Sequence, residues 1–211
     1  MNTVRNITCT PREHDFFDEV TTLFVNLGSF NATTESFHNS ASTLIPNSPD
    51  HTLNLFGRFV HISFPIHSLL HGIVRNNWPH SVQFQVHSSP QRPTGIPNGI
   101  ELQNEGVSKM VTQLVGAMFL KFYERNAARA KLAYPTGPKT WPEVWRFAWL
   151  LRNAIAHGDK WNISDPNFPS TTWHGITVDQ SASGCNWYDL NMYIGGGDVI
   201  LLMEEINSIR P

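Results

Sequence analysis

The chain has 211 residues, with 15 Lys and Arg against 17 Asp and Glu, a net charge of −2 at pH 7 and 40% hydrophobic residues. That length argues for one well-buried domain rather than two with small cores, and the near-neutral balance excludes a global basic field that would drive non-specific nucleic-acid binding. Cys9 and Cys185 are the two cysteines, too few and too far apart for a disulfide framework or a cysteine-based zinc site.

Residues 1 to 8 lack the apolar core of a signal peptide, and no uncharged apolar run approaches the ~20 residues that span a bilayer. The expectation is a soluble, cytoplasmic protein without a membrane partner. Thr10-Pro11-Arg12-Glu13 places a capping hydroxyl, a proline and a glutamate as a helix start would. Phe16, Phe17, Val20, Leu23, Phe24 and Leu27 follow at helical spacing, and Gly28 is the expected stop. Residues 29 to 50, rich in Asn, Ser, Thr and Pro, read as a long surface loop.

From Asp50 the chain turns apolar through Leu53, Leu55, Phe59, Ile62, Phe64, Ile66, Leu69 and Ile73, which predicts a helix kinked or split at Pro65. Residues 78 to 99 read as an irregular connection with one short strand, Val82-Gln83-Phe84-Gln85-Val86. Met110, Val111, Leu114, Val115, Met118, Phe119 and Phe122 form a stripe of period near 3.6 and predict the longest helix, between Glu101 and Leu132, with Ala127 to Lys131 on its exposed end. Thr140-Trp141-Pro142-Glu143 repeats the cap-plus-glutamate signature before a helix whose buried face is Val144, Phe147, Ala148, Leu151 and Ile155, and Gly158 stands where a left-handed residue ends it. A hairpin between residues 172–178 and 187–190 follows, then a last helix capped by Asp198 after the turn Gly195-Gly196-Gly197.

The chemistry concentrates at Arg152-Asn153-Ala154-Ile155-Ala156-His157-Gly158. Arginine offers a planar, permanently charged fork matched to phosphate oxygens, and histidine exchanges protons near neutrality. Five residues at about 100° each set Arg152 and His157 roughly 140° apart around a helix, so they do not share one face. The bland reading is a basic last turn that complements the helix dipole.

Trp145 to Asp159, with Arg152-Asn153-x-x-x-His157 within it, resembles the signature of the HEPN superfamily, Arg-polar-x-x-x-His. The resemblance extends in layout over residues 100 to 208. It implies a mainly α protein: a single HEPN-like helical bundle over residues 1–211, with a small β-hairpin before the last helix and loops at about 29–50 and 78–99. It also implies a homodimer with two motifs facing each other across a cleft, and a metal-independent endoribonuclease that needs no cofactor. His157 would be the general base or acid, Arg152 the phosphate holder and Asn153 the orienting amide. RNA would be the substrate, cleaved by its own 2′-hydroxyl. A role as a toxin or anti-phage effector, with an antitoxin protein as partner, belongs to the same implication. The alternative is a non-catalytic HEPN dimer serving as an interaction or nucleotide-binding module.

Other candidates carry less. Arg75 and His80 repeat the arginine–histidine spacing, but Pro79 breaks the helix between them. His67 and His71 have metal-ligand spacing without an acidic partner and read as polar-face histidines, with His61 adding little. Most of the tryptophans read as core or a dimer seam, with one or two able to stack a base. Arg125, Arg129 and Lys131 read as a solvated face, with a local phosphate-positioning patch as the alternative.

Overall fold

The computed structural model describes residues 4–38, 52–56, 59–65, 78–88, 101–188 and 194–209. Four strands, β1 (Val4–Cys9), β2 (Thr52–Phe56), β3 (Val60–Pro65) and β4 (Val82–Ser88), form an antiparallel sheet in the order β1-β4-β3-β2. Alternation decides which face is buried: Ile7, Cys9, Leu55, Ile62, Phe64, Val82, Phe84 and Val86 are in the core, whereas Asn6, Thr8, Gln83 and Gln85 are exposed.

Helix α1 (Phe17–His38) supplies Phe24, which stacks on Phe64 of β3 at 3.7 Å between ring centroids and meets Phe84 of β4 edge-on. Helix α2 (Glu101–Ala133) packs against α1, against α3 (Glu143–Ala156) and against α4 (Gly196–Ser208). A two-stranded hairpin, β5 (Thr171–Trp173) and β6 (Ile176–Val178), joins α3 through β5. One contiguous apolar cluster runs from Ile7 to Ile206, so sheet and helices share a core.

The fold is therefore mixed α/β rather than mainly α, with about 51% helix and 19% strand among the described residues. The strand expected at 82–86 and the helices expected at about 101–132, from 143 and from 198 are present. Several other expectations are corrected. Thr10 closes only a turn, its Oγ1 accepting from the Glu13 amide at 3.3 Å, and the first helix begins at Phe17. It continues through Gly28 to His38, across part of the expected loop, because a mid-helix glycine costs about 1 kcal/mol and neighbouring Leu23 and Phe24 are buried.

The helix expected around Pro65 is instead the β2–β3 hairpin, with Leu55 opposite Ile62 and Leu53 opposite Phe64. Residues 60–64 have apolar positions two apart, and that period prevailed over the 3.6 reading. Residues 39–50, 66–77 and 89–99 lie outside the description, so the remainder of both expected loops and of that helix does too. The late hairpin closes within 171–178 on His174 and Gly175. The segment before Trp187 instead meets residue 160 in a single bridge, Lys160 to Asn186. The α2 end expected to be exposed buries Ala127 and Ala130. Glu143 does not complete a capping box; its Oε1 accepts the Thr172 amide at 2.8 Å and ties β5 to the start of α3.

Asp198 is the third residue of α4 rather than its cap. Its Oδ2 accepts the Gly195 amide at 2.9 Å and its Oδ1 accepts the Phe59 amide at 2.9 Å, so one buried carboxylate both starts α4 and anchors the approach to β3. Gly196 is a close-packing position: a Cβ on it would lie 2.7–2.9 Å from three carbons of the Leu55 side chain. Because Leu55 is itself buried, Gly196→Ala should lower stability by about 1–3 kcal/mol in urea unfolding. A variant as stable as wild type would mean that α4 and β2 are not held at this separation.

Candidate functional site

Helix α3 buries Trp145, Phe147, Ala148, Leu150, Leu151 and Ala154, which leaves Arg152 and Asn153 half-buried at its border. It lies close against α2, where a Cβ on Gly116 would be 3.1 Å from the Ile155 side chain. Two turns further along α2 stands Glu124. Its Oε1 accepts from Arg152 Nε at 2.6 Å and lies 2.6 Å from Arg152 Nη2, while Arg152 Nη1 donates to Asn153 Oδ1 at 3.1 Å. The guanidinium is thus oriented by a carboxylate and an amide and still has 31% of its side chain accessible.

His157 caps α3. Its amide bonds to the Asn153 and Ala154 carbonyls, and its imidazole is exposed with no partner among the described residues. Gly158 (φ +85°) and Asp159 (φ +66°) then turn the chain through the left-handed region, as the expected helix stop requires. Asp159 fixes this corner: its Oδ1 accepts the indole N–H of Trp187 at 2.9 Å and its carbonyl accepts the Trp187 amide at 3.0 Å. The exposed imidazole therefore sits on an anchored bend.

Of the three residues singled out from sequence, Arg152 and Asn153 are brought together, and His157 is joined to neither through its side chain. Glu124 was missed. It is 28 positions from Arg152, and nothing local in α2 distinguishes it from other solvent-facing acids. Beside it, Tyr123 is buried with its hydroxyl unpartnered among the described residues. Burial drives that phenol well above its ordinary range, with the Arg152 charge partly opposing the shift and Glu124 adding to it.

Arg125 and Arg129 near the end of α2 are not simply solvated. Arg125 Nη2 holds the buried carboxylate of Glu19 at 2.7 Å, and Arg129 Nη1 holds Asp15 at 2.7 Å. Trp141, Trp145, Trp161, Trp173 and Trp187 are buried, as core tryptophans should be, and Trp149 stacks on Phe168. His80 is exposed ahead of β4, whereas Arg75, His67 and His71 lie outside the description. His61 belongs to strand β3 rather than to a helix.

Among the described residues no helix is long and apolar enough to cross a membrane, and no three His, Cys, Asp or Glu side chains group as metal ligands. Comparison with protein-family models, curated proteins and solved structures finds no match to this chain.

Proposed function

We propose that the protein is a cytoplasmic, metal-independent endoribonuclease of HEPN type. The observation that carries the reading is the exposed imidazole of His157, without a partner among the described residues, on an anchored bend following the oriented, partly accessible Arg152–Asn153 pair on the same helix. In this reading His157 removes the proton from a ribose 2′-hydroxyl as O2′ bonds to phosphorus and the bond from phosphorus to O5′ breaks. A protonated imidazole returns a proton to the departing 5′-oxygen. Arg152 holds the phosphate and offsets charge on its oxygens, and Asn153 steadies the guanidinium.

The angular separation of Arg152 and His157 supports a composite site, with Arg152 from one copy and His157 from the other. Helices α1 to α4 would be the HEPN-like bundle, carrying the four-stranded sheet as an addition. A toxin or anti-phage role with an antitoxin partner accords with such an activity.

One observation favours the alternative of a non-catalytic HEPN dimer: Glu124 already occupies two nitrogens of the Arg152 fork. Phosphate would have to compete with it. The deciding experiment is incubation of labelled RNA with the protein in EDTA, followed by analysis of the product ends. The expected products carry 2′,3′-cyclic phosphate and 5′-hydroxyl ends. If the site is composite, Arg152→Ala and His157→Ala proteins, inactive alone, should recover part of the activity when mixed. Absence of cleavage across a panel of cellular RNAs would favour the binding module.

A further inference from the structure

A second set of chemically equipped residues meets at the open end of the sheet's core face. There residues of β1, β3 and β4, of α4 and of the β5–β6 turn line a hollow of about 250 Å3. Phe59, Val60, Val86 and Leu201 are its apolar walls, Ser88 also lines it, and Arg5 and His174 bring nitrogen-bearing groups to it. Each of those two groups is oriented by an adjacent glutamate of α4. Arg5 Nη2 donates to Glu204 Oε2 at 2.6 Å, and His174 Nε2 lies 2.7 Å from Glu205 Oε1.

The hydrogen-bonding capacity left over defines what fits. Glu205 Oε2 accepts the Trp173 indole N–H at 2.7 Å, and an ionised carboxylate can only accept. The contact with Glu205 occupies Nε2 and leaves Nδ1 as the other hydrogen-bonding atom of the ring. Nδ1 has no partner among the described residues, and neither do Nε and Nη1 of Arg5. Among the described residues, therefore, two nitrogens of Arg5 and one of His174 are not engaged by protein groups, and both side chains line the hollow beside its apolar walls.

The imidazole is also placed more firmly than a turn needs. His174 (φ +45°) and Gly175 (φ +80°) form the two-residue bend of the hairpin, a position that asparagine or glycine ordinarily fills. Trp173 meets the His174 ring edge-on at 4.8 Å and Phe59 lies 5.6 Å from it, while the Phe59 amide is pinned by Asp198. A histidine in the left-handed region, oriented through one nitrogen and clasped by two aromatic rings, has the form of a ligand-binding group rather than of a connector.

We propose that this hollow binds a small hydroxycarboxylate on an apolar frame. Its carboxylate is held by the free edge of the Arg5 guanidinium, where planar fork and planar anion match. Its hydroxyl, able to donate or accept, hydrogen-bonds to His174 Nδ1, and its hydrocarbon body lies against Phe59 and Leu201. The volume, just under the ~300–1,000 Å3 of drug-sized pockets, selects a molecule smaller than a drug. A neutral phenol lacks the anion for Arg5 and a plain carboxylate lacks the hydroxyl for His174, so each would leave one of those two side chains unanswered.

The test is calorimetric titration of the full chain with 4-hydroxybenzoate and mandelate, with benzoate and phenol as the incomplete ligands. Saturable binding of at least one hydroxycarboxylate is expected, at least tenfold tighter than benzoate or phenol. Arg5→Gln and His174→Asn should each weaken it at least tenfold without changing the melting temperature by more than a few degrees, asparagine being chosen because it keeps the left-handed turn. Arg152→Ala should bind as wild type does, which separates this site from the RNA site. No saturable binding of either hydroxycarboxylate, or binding equally strong in Arg5→Gln and His174→Asn, would overturn the proposal.

Discussion

Replacing His157 with alanine should reduce RNA cleavage in EDTA by about 100-fold or more, the usual loss when a general acid or base is removed. The same change should leave the protein's melting temperature nearly unaltered. Its imidazole is exposed and bonded to nothing among the described residues, and a cation at the end of a helix contributes at most about 0.3–1 kcal/mol at the surface. Helix α3 is closed by backbone bonds and by the left-handed Gly158, neither of which needs the ring. Activity and stability are thus expected to separate at this position. If His157→Ala lowered the melting temperature markedly and left cleavage intact, the residue would be a helix-end ornament and the nuclease reading would fail. Arg152→Ala should behave similarly, because its pairing with the half-exposed Glu124 contributes roughly 0–1 kcal/mol.

Asp198→Ala should have the largest effect on stability, about 3–5 kcal/mol in urea or guanidinium unfolding. Asp198 is fully buried and accepts the Gly195 and Phe59 amides at 2.9 Å, with the Val60 amide at 3.4 Å. Alanine would strand these backbone donors in the interior, where an unsatisfied group costs about 1–3 kcal/mol. It would also free the start of α4 from the edge of β3, loosening the seam between sheet and helices. Asp198→Asn keeps one accepting oxygen and should lose less than alanine does. A loss below 1 kcal/mol for alanine would mean that water or rearranged backbone satisfies those amides, and that the seam does not depend on the carboxylate.

How much of this was legible in the sequence varied with the range of the interactions involved. The stripe from Met110 to Phe122, the apolar face from Val144 to Ile155, the left-handed Gly158 and the alternating Val82 to Val86 are all local patterns, and each lies in the element it predicts. Strand β1 carries only Ile7 and Cys9 inward, too thin a pattern to read before its partner is known. That partner is β4, where Asn6 lies opposite Gln85. The β2–β3 hairpin was misread because its apolar residues match both a strand and a helix over so short a run.

The candidate sites divide in the same way. The residue types at Arg152, Asn153 and His157 are visible in seven consecutive letters, since arginine, amide and histidine carry their chemistry wherever they stand. Glu124 on Arg152, Glu205 on His174 and Asp198 on the Phe59 amide join positions 28, 31 and 139 apart. By itself the sequence determined the helices after residue 100, the helix end at Gly158 and the residues able to act on a phosphate. Tertiary structure alone decided which of those residues are engaged, which remain free and where the second hollow lies. Helical periodicity and turn chemistry are properties of neighbours along the chain, whereas ion pairs, buried carboxylates and cavities exist only once distant segments pack together.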